Sequence, residues 1–66
     1  MATRLSVFDA GVLLGLDRGE SVEEISRAFG TDVTSVVKRL EKRGLARSGH
    51  TTIEGRNALI RGGWRI

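Results

Sequence analysis

Residues 21–44 read SVEEISRAFGTDVTSVVKRLEKRG, and the fold turns on how this stretch divides. Ser21 stands three residues before Glu24, the spacing at which a serine hydroxyl accepts from a first-turn amide while the glutamate reaches back to the serine N–H. A helix starts there. Val22, Ile25, Ala28 and Phe29 recur at helical spacing on one face, and Gly30 stops the helix where a left-handed residue is wanted. Asp32 is the expected N-cap of the next helix, in which Val33, Val36, Val37 and Leu40 repeat at i, i+3, i+4 and i+7 before Gly44 closes it. The stretch predicts two short helices joined by a tight turn, the second running from about Val33 to Arg43 and ending in Lys38-Arg39-Leu40-Glu41-Lys42-Arg43.

Glycine punctuates the rest of the chain, at positions 19, 49, 55, 62 and 63 as well as 30 and 44. Upstream, Ser6 is a candidate N-cap with Asp9 three residues on, and Val7, Phe8, Ala10, Val12, Leu13, Leu14 and Leu16 make a first helix that is apolar nearly all round. Gly11 and Gly15 each lower its intrinsic helicity by about 1 kcal/mol relative to alanine, so packing must hold it, and the small residues permit close approach by a neighbour. Downstream, Leu45-Ala46-Arg47, a Ser48-Gly49-His50 turn and Thr51-Thr52-Ile53 predict a hairpin over residues 45–53. Thr52 also suits the N-cap of a last helix that holds Ala58, Leu59 and Ile60 and ends at Gly62-Gly63, leaving a tail over residues 62–66. The expected fold is mainly α with a small β-hairpin, a single domain over residues 1–66 built as a three-helix core, a wing and a C-terminal helix: a winged helix-turn-helix.

A chain of 66 residues holds one small core, which disfavours an enzyme with a deep private cleft. It contains no cysteine, so neither a disulfide nor a thiolate metal site supports that core. The first 20 residues carry no leader pattern, and no run approaches the ~20 apolar residues of a membrane span. The expectation is a soluble cytoplasmic protein, nucleoid-associated if the source is bacterial, archaeal or phage. Net charge is +3 but unevenly spread. Residues 1–32 set three arginines against six acids, a net of −3, whereas residues 33–66 set eight lysines and arginines against two acids, a net of +6. Gathered on one surface, the second half would meet a polyanion while the acidic side points away; the alternative is that the charges are scattered and merely solvated.

The residues at this point resemble the winged helix-turn-helix repressors of the MarR-like type. Ser21 to Gly30 stands where that family enters its motif, Lys38 to Leu45 looks like the end of its recognition helix with an LEKRGL run leading into the wing, and Thr52-Ile53-Glu54-Gly55-Arg56 resembles the T-x-E-G-R segment behind the wing. The resemblance covers about residues 5–61. It departs from the family between Gly30 and Leu40, which is shorter by about one helical turn, and in lacking the long flanking helices through which that family dimerises. Its two-fold operator reading and small-molecule response therefore do not carry over. The resemblance implies a sequence-specific regulator of transcription, a repressor of phage-like economy, that binds double-stranded DNA.

Helical geometry names the contacts independently. Opposite the apolar positions of the third helix lie Thr34, Ser35, Lys38, Arg39 and Lys42. Arg39 can grip guanine with two hydrogen bonds, Thr34 and Ser35 are short enough for base edges or phosphates, and Lys38 and Lys42 suit phosphates. Arg47 and His50 flank the hairpin turn, where a wing reaches backbone or minor groove, although a lone histidine on a turn is commonly just exposed. Arg56 suits either a phosphate or an acid of the second helix. Trp64 either closes the core against the first helix or, with Ile66, meets a second copy or another protein. No nucleophile with a paired histidine, no metal-spaced cluster, no phosphate loop and no small-molecule or cofactor site is evident, so an enzyme is not expected. The competing reading is a winged-helix protein-interaction module that inhibits or recruits a transcription or replication enzyme through the first helix and the Trp64 tail; its mark would be an exposed apolar patch.

Overall fold

The computed structural model describes residues 5–64. Four helices, α1 (Val7–Asp17), α2 (Val22–Phe29), α3 (Thr34–Lys42) and α4 (Ile53–Arg61), are joined by short turns, with an antiparallel hairpin of β1 (Ala46–Arg47) and β2 (His50–Thr51) between α3 and α4. The molecule is thus mainly helical with one small two-stranded sheet, as the periodicity predicts.

Caps predicted from the serines and Thr52 form as expected. Ser6 Oγ accepts from the Asp9 N–H at 3.1 Å. Ser21 and Glu24 make the full reciprocal box, at 3.1 Å and 2.8 Å, and the Thr52 hydroxyl accepts from the Gly55 N–H at 3.0 Å. All four helices end alike. The residue after a left-handed glycine returns its N–H to the carbonyl five positions back: Glu20 to Gly15, Thr31 to Ser26, Leu45 to Leu40 and Trp64 to Leu59. This closure satisfies the orphan carbonyls of the last turn and throws the chain back across its own helix. It explains how helices of 8 to 11 residues can be packed against each other with almost no connecting loop.

The buried core is aliphatic throughout, built from Val12, Leu13 and Leu16 of α1, Ile25 of α2, the valines and Leu40 of the α3 segment, and Leu45 and Leu59. Helix α1 lies at the centre and touches α2, α3, α4 and β2. Its two glycines are the reason α2 fits. A Cβ at Gly15 would stand 2.8 Å from Ile25 Cγ1, and one at Gly11 would stand 3.0 Å from Phe29 Cζ, closer than side chains pack.

Several boundaries differ from expectation. Gly55 is not punctuation: it lies inside α4, buried, where a Cβ would collide with the Leu45 carbonyl oxygen. The hairpin is tighter than residues 45–53. Ser48 (φ 52°) and Gly49 (φ 77°) alone form the turn, the pair of positive φ values that a two-residue connection matching strand twist requires. His50 therefore belongs to β2, Leu45 precedes β1, Thr52 is committed to capping, and Ile53 is the first residue of α4. Along α2, Ile25 is buried and Val22 half-buried, but Ala28 and Phe29 are exposed.

Candidate functional site

The start of α3 is fixed by two side chains from outside the helix. Val33, not Asp32, occupies the N-cap position and offers no side-chain acceptor. Its own N–H donates to Ser26 Oγ at 3.0 Å, which ties α3 to α2. Asp32 stands one residue earlier and still does a cap's work: Oδ1 accepts from the Thr34 N–H at 2.9 Å and from the Thr34 hydroxyl at 2.6 Å. These bonds, the hydroxyl first and then the amide, hold the Asp32 carboxyl below its ordinary pKa.

From that start the helix turns by about 100° per residue, so Thr34, Lys38 and Lys42 fall in one row with Ser35 beside it. All four are exposed, and the expected apolar face of Val33, Val36, Val37 and Leu40 is buried. Arg39 and Glu41 sit at the two edges of the row. Both edges are used inside the molecule. Arg39 Nη2 donates to Asp9 Oδ1 of α1 at 2.7 Å, and Asp9 is only 7% exposed. Glu41 Oε2 accepts from the Gly49 N–H at 3.3 Å, which braces the hairpin turn against α3. Glu41, an acid among cations, thus has a structural task. Arg39 stands apart from the other four polar residues, because part of its guanidinium is committed to a buried carboxylate.

The hairpin packs against α3 and is tied to its Glu41 edge. Arg47 and His50 are paired across the strands on either side of Ser48-Gly49, and both are exposed. Lys38, Lys42 and Arg47 make no ion pair among the described residues. The acids of α1 do not simply face away from the basic half: Asp9 pairs with Arg39, and Asp17 Oδ1 receives Arg56 Nε at 3.2 Å. Arg56 therefore pairs with the first helix rather than the second. Glu24, held below its ordinary pKa chiefly by the Ser21 N–H and then its hydroxyl, belongs to the α2 cap and not to this surface.

A second surface carries an exposed apolar patch on the first helix beside Trp64, the mark of the competing reading, with Phe29 of α2 as the member not expected. The chain has three aromatic residues, Phe8, Phe29 and Trp64, and all three line one groove of about 510 Å³ along α1 and α2. Phe8 and Phe29 are 42% and 41% exposed, with ring centroids 5.4 Å apart, and Val7 beside them is 79% exposed. Trp64 is half-buried against the core, as one of its two expected roles requires. Ile66 lies outside the described residues. The available signal was the all-round apolarity of α1, more hydrophobic surface than a core of this size can cover.

A larger open hollow, of about 800 Å³, lies beside the hairpin and is lined by charges of both signs, among them Glu41, Arg47 and Glu54. Among the described residues, no three His, Asp or Glu side chains gather where they could hold a metal ion, and no helix is long and apolar enough to cross a membrane. Comparison with protein-family models, curated proteins and solved structures gives no match.

Proposed function

We propose that this chain is a winged helix-turn-helix module that binds double-stranded DNA as a sequence-specific regulator of transcription, with α3 in the major groove and the hairpin as the wing. The observation that carries the reading is the outward row of α3: Thr34, Ser35, Lys38 and Lys42 stand exposed, with no ion pair to the lysines among the described residues, on a helix whose opposite face is buried in the core. A short helix fixed by its neighbours and presenting small hydroxyls between cations is suited to a groove walled by phosphates. Arg47 and His50, exposed on the hairpin that packs against α3, would reach a flanking backbone.

Lys38, Lys42 and Arg47 together would neutralise about three phosphates, so the logarithm of affinity should fall against the logarithm of salt with a slope of about −3. A gel-shift or filter titration at several salt concentrations measures this, and a flat dependence would sink the proposal. Lys42→Ala should weaken every sequence alike and reduce the slope by about 1. Selection from a random duplex pool would then reveal the site read by Thr34 and Ser35. The protein-interaction reading is favoured by one observation, the exposed apolar patch along α1. Capture of another protein that survives nuclease, with no shift of any duplex, would establish it instead.

A further inference from the structure

A serine followed three residues later by an acid opens two helices of this chain, and the two acids are used differently. At α2 the box closes, with Glu24 accepting from the Ser21 N–H. At α1 Ser6 accepts from the Asp9 N–H, but the Asp9 carboxylate leaves its own helix and accepts from Arg39 Nη2 of α3 at 2.7 Å. Asp9 is the only polar residue buried in the core among the described residues. The arginine that it holds is not buried: the two side chains are 10% and 54% exposed. A carboxylate taken out of water for a partner left in water adds little stability, because its desolvation offsets much of the attraction. What such a bond supplies is position. We propose that Asp9 is a positioning residue for base recognition, which holds Arg39 in the free protein in place to read a guanine in the major groove. The step rests on the DNA reading above.

Among Thr34, Ser35, Lys38, Arg39 and Lys42, only Arg39 carries a guanidinium. A lysine is a point charge, whereas the guanidinium is a planar fork that matches the paired O6 and N7 acceptors of guanine. The bond to Asp9 leaves that match intact. The fork has two edges of paired donors and Nη2 contributes one hydrogen to each, so whichever hydrogen Asp9 takes, the other edge keeps both of its donors. Those donors have no protein partner among the described residues.

The charge balance points the same way. The carboxylate cancels the charge that would draw Arg39 to a phosphate, but a base edge offers neutral acceptors and is read by geometry. Lys38 and Lys42, without an ion pair among the described residues, keep their charge for the backbone. Arg39, one helical turn beyond Ser35 on the edge of the row nearest α1, is left for the base.

Selection from a random duplex pool should give the wild type a site with one guanine whose replacement weakens binding about tenfold. Arg39→Lys should remove that preference and leave those at other positions. Asp9→Asn keeps the size and an acceptor oxygen but not the charge. It should cut the preference at the same position several-fold, while the salt slope steepens by about 1 because the released guanidinium turns to a phosphate. A merely structural Asp9 would instead weaken all sequences alike and leave the slope no steeper. NMR of the free wild type should show the Arg39 guanidinium rotating slowly beside that of Arg47, and a freely rotating one overturns the anchor even if Asp9→Asn does not fold. A guanine preference undiminished in Asp9→Asn, a loss spread over every position, or no dependence of guanine on Arg39 overturns the assignment while duplex binding stands. If the wild type shifts no duplex at any salt, the DNA reading itself fails and the assignment falls with it.

Discussion

The outward row of α3 and the groove along α1 are both solvent-facing surfaces carried by the same aliphatic core, and they are exposed for opposite reasons. The row is polar, and its helix has a buried face that is complete without it: Val33, Val36, Val37 and Leu40 are covered and the row is what remains. The groove is apolar and exposed because the core has no room for more. Polar exposure costs the fold nothing, whereas aromatic exposure forgoes a stabilisation of about 25 cal/mol for each Å² left in water. The comparison teaches that a small domain can hold one face by surplus polarity and another by surplus apolarity, and that only the second calls for an occupant on grounds of stability.

The largest effect would come from breaking what the two surfaces share. Leu40 is fully buried beneath the row and belongs to the core that supports α1. Leu40→Ala should destabilise the chain by about 2–5 kcal/mol, a large part of what a domain of this size possesses. Thermal denaturation should show a strongly lowered or absent transition, and duplex binding should fail with it; binding that survives would mean that the row does not rest on this core.

A smaller change separates the edge of the row from its centre. Arg39→Ala strands the Asp9 carboxylate, which is nearly buried and loses its one ion pair. With the guanidinium itself half-exposed, the cost should be about 1–2 kcal/mol. Lys38→Ala, one position away on the same helix, should change stability by less than about 0.5 kcal/mol yet weaken duplex binding several-fold. Equal melting temperatures for the two variants would remove the distinction between edge and centre. On the groove side, Phe29→Ala should cost about 1 kcal/mol, less than a buried leucine, because two-fifths of the residue is already in water. It should leave duplex affinity intact.

How far these surfaces were legible in the sequence depended on whether the signal was local. Caps are local, and Ser6, Ser21 and Thr52 announced their helices from spacing alone. The apolar stripe of α3 was equally plain, since four positions at helical period leave little choice of buried face. The boundary at Val33 was not, because the acceptor for its N–H comes from Ser26, seven residues away on another helix. The Arg39–Asp9 and Arg56–Asp17 pairs span 30 and 39 positions, and nothing in either segment names its partner. The exposure of Phe29 was not legible for a different reason. Phe29 continues the apolar stripe of α2, and periodicity gives the direction a side chain takes but not whether the neighbouring helix is wide enough to cover it. At Gly11 it is not: the glycine admits the end of the Phe29 ring and leaves its flank bare.

The smallest expected effect is on the polar side and is set by acid. The Glu24 and Asp32 carboxylates are both held below their ordinary pKa, by Ser21 and by Thr34, and both cap helix starts in the α2–α3 unit. A carboxyl whose pKa is lower folded than unfolded lends stability that is whole above the ordinary carboxylate range and is lost as pH falls through the lowered values. Acidification below that range should therefore loosen the starts of α2 and α3 first, while the apolar contacts of the groove, which contain no such cap, persist. Amide exchange followed by NMR should show protection falling at Glu24 and Thr34, the two amides that donate to those caps or their partners, before it falls at Trp64, whose N–H bonds to Leu59. Ser21→Ala should make the acid response at Glu24 smaller, because the carboxylate keeps the Ser21 N–H but loses its hydroxyl partner. Simultaneous loss at all three amides would mean that the molecule opens as one unit, and that the polar and apolar surfaces, however different in origin, share a single cooperative structure.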